Sequence, residues 1–87
     1  MSCYIISYDL REERDYESLY SAIKSYSTWA HILESTWAVV SSKSAVEIRD
    51  HLGQSMDNDD GLFVIKSGVE AAWKNILWKD SWLKENL

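Results

Sequence analysis

The sequence predicts an α+β domain with the element order β-α-β-β-α-β, followed by a tryptophan-rich extension. Three observations carry that prediction. Short β-branched and aromatic runs recur at Cys3–Asp9, Ala30–Leu33, Thr36–Ser41 and Leu62–Lys66. Two stretches of helical periodicity separate them, and turn-forming residues punctuate the boundaries.

The first run, Cys3-Tyr4-Ile5-Ile6-Ser7-Tyr8-Asp9, has the composition of a strand buried on at least one face. Arg11–Arg14 reads as a charged loop. Asp15 is placed to cap a helix on which Tyr16, Leu19, Tyr20, Ile23 and Tyr26 share a face. Ala30–Leu33 and Thr36–Ser41 flank Glu34-Ser35, a spacer too short for anything but a hairpin or a bent strand pair. Ser44-Ala45-Val46-Glu47 is a capping box, with Ser at the cap and Glu three residues on; Ala45, Ile48, Leu52 and Met56 then form an apolar stripe. Asp57–Gly61 is a turn by composition, and Leu62–Lys66 is the last core strand.

That order is the ferredoxin-like split βαβ arrangement, with a four-stranded antiparallel sheet over residues 1–66 and two helices on one face. Right-handed crossovers are expected to set the first and fourth strands side by side at the sheet centre. The second face is then left open, which makes it a natural dimer surface. Residues 67–87 form the extension, packed on the domain or on a dimer partner. Val69, Ala72, Trp73, Ile76 and Leu77 fall at helical spacing, and Asp80 or Ser81 can cap a short last helix over Trp82 and Leu83. A lid on the sheet is the reading preferred for this tail. Its three tryptophans with interleaved Lys74, Lys79 and Lys84 offer a base-stacking or partner surface as the alternative.

Composition removes several function classes. The chain has 87 residues and one cysteine, Cys3, so an internal disulfide and a cysteine-based zinc site are excluded. No secretory signal or membrane-length apolar run occurs, and a cytoplasmic chain is expected. There is no proline, and the three glycines do not form a phosphate-binding loop. The net charge of −5 disfavours sequence-independent phosphate binding. Asp57, Asp59 and Asp60 imitate the start of a calcium loop, but the closing glutamate is missing. Cys3 has no activating neighbour and is expected to be buried and inert.

Asp9 is the foremost residue with chemistry to offer. At the carboxyl end of the first strand its carboxylate stands at the rim of the open face. In a symmetric dimer two copies could meet and share a divalent cation. Accepting hydrogen bonds from backbone amides of the following loop is the alternative. His31 is expected to be a packed strand residue, and His51 to lie on a solvated helix face. Trp29, Trp37 and Tyr8 could hold a small ligand against the sheet, a third and weaker class of function.

Tyr4-Ile5-Ile6-Ser7-Tyr8-Asp9-Leu10, a polar loop with arginines, and Ile32-Leu33-Glu34-Ser35-Thr36-Trp37-Ala38-Val39 together resemble the CRISPR-associated Cas-two family. They are also similar to its VapD-like and SinR-family standalone relatives. The resemblance implies a homodimer with Ser7, Ser35 and Trp37 at the interface and the two Asp9 side chains facing each other. It further implies Asp9 as the catalytic residue and Mg2+ ligand of an RNA or DNA endonuclease, with Arg11 and Arg14 on the nucleic acid. The family's other role is as a non-catalytic dimeric scaffold for a protein or nucleic-acid partner. The acidic charge and the tail, which stands where many members add a further strand, depart from the family's pattern.

Overall fold

A computed structural model describes residues 1–10 and 16–87. Its elements are β1 (Ser2–Asp9), α1 (Tyr16–Lys24), β2 (Thr28–Leu33), β3 (Thr36–Ser41), α2 (Ala45–Gly53), β4 (Gly61–Lys66) and α3 (Asp80–Asn86). The expected cap Asp15 lies outside the described residues, as do Arg11 and Arg14.

The four strands form one antiparallel sheet in the order β2-β3-β1-β4. β1 pairs with β3 (Ile6 opposite Trp37) and with β4 (Ile6 opposite Val64), so it is an inner strand. β4 is a neighbour of β1, as expected, but it sits at the sheet edge; β3 takes the central place beside β1. The reason is the tight Glu34-Ser35 turn, which forces β2 and β3 to pair directly and keeps β3 next to β1. α1 therefore bridges the parallel strands β1 and β2 across β3, and α2 bridges β3 and β4 across β1.

Strand alternation sorts side chains onto two faces. Tyr4, Ile6 and Tyr8 of β1 and Trp37 and Val39 of β3 point to the helical side, where Leu19, Ile23, Ile48 and Leu52 meet them. α2 is set by its capping box, with both reciprocal bonds in place: Glu47 N–H donates to Ser44 Oγ (3.2 Å) and Ser44 N–H to Glu47 Oε1 (2.9 Å).

The second face is not open. Cys3, Ala30, Ile32 and Ala38 are buried there under Leu83 of α3, with Trp73, Ile76, Trp78 and Trp82 packed around them. Among the described residues there are thus three helices beside the sheet, and the third is the short last helix expected over Trp82 and Leu83, laid on the second face as the lid reading has it. The helix expected over Val69–Leu77 is absent: residues 67–79 are irregular. Two observations accompany this. Leu77 N–H is spent on Ile32 C=O of β2 at 2.8 Å, and Asn75 adopts φ 56°, a left-handed conformation that asparagine tolerates. α3 is capped by Lys79 without a side-chain bond, rather than by Asp80 or Ser81. Asp80 instead accepts the Trp73 Nε1–H at 2.5 Å.

Candidate functional site

Asp9 ends β1 opposite Gly61 of β4, exposed, on the same sheet face as Ser7 and Phe63. Ser7, Asp9, Gly61 and Phe63 border a shallow groove there. Ser7 is half-buried between Thr36 and Phe63. Ser35 sits in the β2–β3 turn, where its carbonyl accepts the Tyr8 N–H at 3.2 Å.

Trp37 is not brought to this surface. It is buried on the helical side, 1% exposed, inside a cluster of rings. The His31 ring stacks on it with centroids 3.9 Å apart and planes 9° from parallel, while Tyr20 and Trp29 approach at 5.1 and 5.6 Å. Trp37 Nε1–H donates to Tyr8 Oη (3.2 Å), and the Tyr8 hydroxyl donates onward to the Glu34 carbonyl (3.2 Å). The same carbonyl lies 3.1 Å from His31 Nε2, which donates to it in the tautomer that carries its proton there. Burial, reinforced by the hydrogen bond with Tyr20, pushes the Tyr8 phenol far above the ordinary tyrosine range. Tyr8 thus links the Trp37 indole to the Glu34 carbonyl as a protonated hydroxyl.

His51 departs from its expected place on a solvated face. It is half-buried, with Nδ1 2.8 Å from the Tyr26 hydroxyl. Neither this pair nor the Tyr8–Trp37–His31 network has a local signature, because the partners lie 25 and 29 residues apart. Cys3 is buried, as expected, and burial raises its thiol above the ordinary value.

Among the described residues no three His, Cys, Asp or Glu side chains come together as a metal-holding group. Asp9 offers a magnesium ion one carboxylate, so most of the six oxygen ligands of an ion held there would come from water, a phosphate or a second copy. The bases are dispersed. Lys24 lies over the Trp29 ring and Lys43 over the Tyr26 ring, at 5.3 and 5.5 Å. Arg49 pairs with Asp50 (2.9 Å) and Lys84 with Asp80 (3.0 Å). Among the described residues no helix is long and apolar enough to cross a membrane.

The remaining feature is apolar. Phe63 and Ile65 of β4 are 61% and 48% exposed, and Val46 of α2 is exposed as well. Val46, Leu62, Phe63 and Val64 border a groove between α2 and the β4 edge, with Arg49 at one end. No family model matches the chain, and no solved structure matches it.

Proposed function

We propose that this chain is a ferredoxin-like, Cas-two-like module that acts as a homodimer and holds a protein partner without catalysing a reaction. The observation behind this is the apolar β4 edge, where Phe63 and Ile65 are exposed while two helices pack on one sheet face and the tail on the other. The ferredoxin-like assignment is supported by α1 and α2, each bridging two parallel strands across a third. A protein partner is favoured over nucleic acid by the charge of −5 and by the scattering of the described bases over α1, α2, β4 and the tail. Non-catalysis is supported by the structural commitment of Tyr8, His31 and His51 to hydrogen bonds within the fold.

Sedimentation equilibrium at tens of micromolar should show a dimer, and RNA and DNA incubated with the protein and Mg2+ or Mn2+ should stay intact. A monomer under those conditions removes the main prop of the proposal. A second reading, a magnesium-dependent nuclease built on paired Asp9, is favoured by the exposure of Asp9 on the same face as Phe63. Cleavage that is lost in Asp9→Ala would establish it in place of the first.

A further inference from the structure

The two sheet edges are treated differently by the chain. At β2 the tail backbone takes up Ile32 C=O, whereas among the described residues β4 has a strand only on its β1 side. One bond fixes which backbone groups of β4 point outward. Ser67 N–H donates to Cys3 C=O at 2.8 Å, continuing the register in which Lys66 opposes Tyr4 and Ile65 opposes Ile5. Odd-numbered residues of β4 thus turn their N–H and C=O groups toward β1, and Leu62, Val64 and Lys66 turn theirs away from the sheet. Among the described residues none of these three makes a backbone bond outside the sheet. From Gly61 to Ile65 the strand also lacks the charge, proline or bulge that usually blunts an edge.

Building on the dimeric reading, we propose that β4 pairs antiparallel with β4 of a second copy about a two-fold axis at Val64, making one continuous sheet. An axis perpendicular to the sheet keeps each face with its own kind, so opposed residues must share a face. An axis at Val64 sets Val64 against Val64, Leu62 against Lys66, and Phe63 against Ile65. Every outward-facing backbone group of Leu62, Val64 and Lys66 then meets an outward-facing partner. An axis at Phe63 would instead place Lys66 opposite Asp60, beyond the end of the strand. With the axis at Val64, Phe63 and Ile65 meet at non-hydrogen-bonded positions, where side chains come closest and an aromatic against a β-branched residue is a favourable pair. Charge agrees with this register: Lys66 lies diagonal to Asp60 of the second copy, on the same face, at both ends of the pairing.

The pairing has a measurable consequence for Asp9. Asp9 opposes Gly61, three residues from the axis. With strands about 4.8 Å apart and about 3.4 Å per residue, the two Asp9 Cα atoms fall about 25 Å apart. At that separation they share neither a proton nor a cation.

Double electron–electron resonance on the full chain carrying Cys3→Ser and a nitroxide at Asp9→Cys tests this, alongside sedimentation of the unlabelled protein. A dimer with the label distance centred near the separation above supports the edge pairing. A dimer with the labels in near contact overturns it while leaving the dimeric reading intact, and a monomer overturns both. Two variants test the edge itself. Val64→Pro deletes an outward N–H and no bond to β1, and it should abolish the dimer. Because it also trims a half-buried side chain, Phe63→Glu on the exposed face is the second variant, expected to raise the dimer Kd at least about tenfold, a loss of ~1.4 kcal/mol. An unchanged Kd in Phe63→Glu, with the fold retained by circular dichroism, overturns the proposal.

Discussion

The β2 side and the β4 side of this sheet are both apolar, yet among the described residues the tail packs on the first and not on the second. At β2 the tail adds a backbone bond to the edge, and α3 seats Leu83, 1% exposed, on Cys3, Ala30, Ile32 and Ala38. Trp82 Nε1–H ties α3 to Thr28 Oγ1 at 2.9 Å. At β4 the same face carries Phe63 and Ile65 with no such cover from the described residues. The difference shows how a small domain divides its hydrophobic surface. The tail starts at the end of β4, packs on the β2 half of the face, and leaves Phe63 and Ile65 exposed.

The comparison breaks if the two sides respond alike to truncation. Leu83→Ala should cost about 2–5 kcal/mol in urea unfolding and should speed the reaction of Cys3 with a thiol reagent, because the cavity opens directly above it. Phe63→Ala should leave monomer stability within about 0.5 kcal/mol, since an exposed side chain has little packing to lose. Equal losses at the two positions would show that β4 is covered after all.

Two changes of intermediate size sharpen the contrast. Trp82→Phe removes the indole donor to Thr28 and should cost about 1 kcal/mol, with a rise in Cys3 reactivity smaller than that in Leu83→Ala. Ser44→Ala removes the cap of α2 and should also cost about 1 kcal/mol, but on the helical side. It should leave the protection of Cys3 against local opening unchanged, and a strong loss of that protection would mean that the two faces unfold as one unit.

The smallest effect concerns pH. The Trp73 indole donor and then the Lys84 ammonium hold the Asp80 carboxyl below its ordinary value of 3.8. A depressed folded-state pKa means that Asp80 supports the tail above 3.8, and that this support fades as the pH falls through the lower folded value. Hydrogen exchange at the Leu77 amide should therefore quicken, after correction for intrinsic rates, on acidification below that window. In Asp80→Asn that acid-induced quickening should be reduced.

Much of this fold is legible one neighbourhood at a time. The alternation along Tyr4–Tyr8, the capping box at Ser44 and Glu47 and the tight turn at Glu34-Ser35 each depend on residues a few positions apart. What failed did so at long range. The helical spacing of Val69–Leu77 lost to the bond between Leu77 and Ile32, which no local pattern announces. The place of β4 at the edge follows from β2 pairing with β3, a choice made elsewhere in the chain. For the candidate site, the strand-end position of Asp9 was legible, whereas the burial of Trp37 among Tyr8, Tyr20, Trp29 and His31 was not. An aromatic residue in a strand declares its period but not which face it takes.

By itself the sequence determined the six elements of residues 1–66, their order and the excess of apolar side chains that one helical layer on one sheet face would leave uncovered. Those properties live in period, capping and composition, which act between neighbours. Only the tertiary structure decided that the tail covers the β2 half and leaves the β4 edge bare. That choice depends on where the tail begins and which backbone groups it meets, and loop closure and strand pairing set both at distances the sequence pattern does not span.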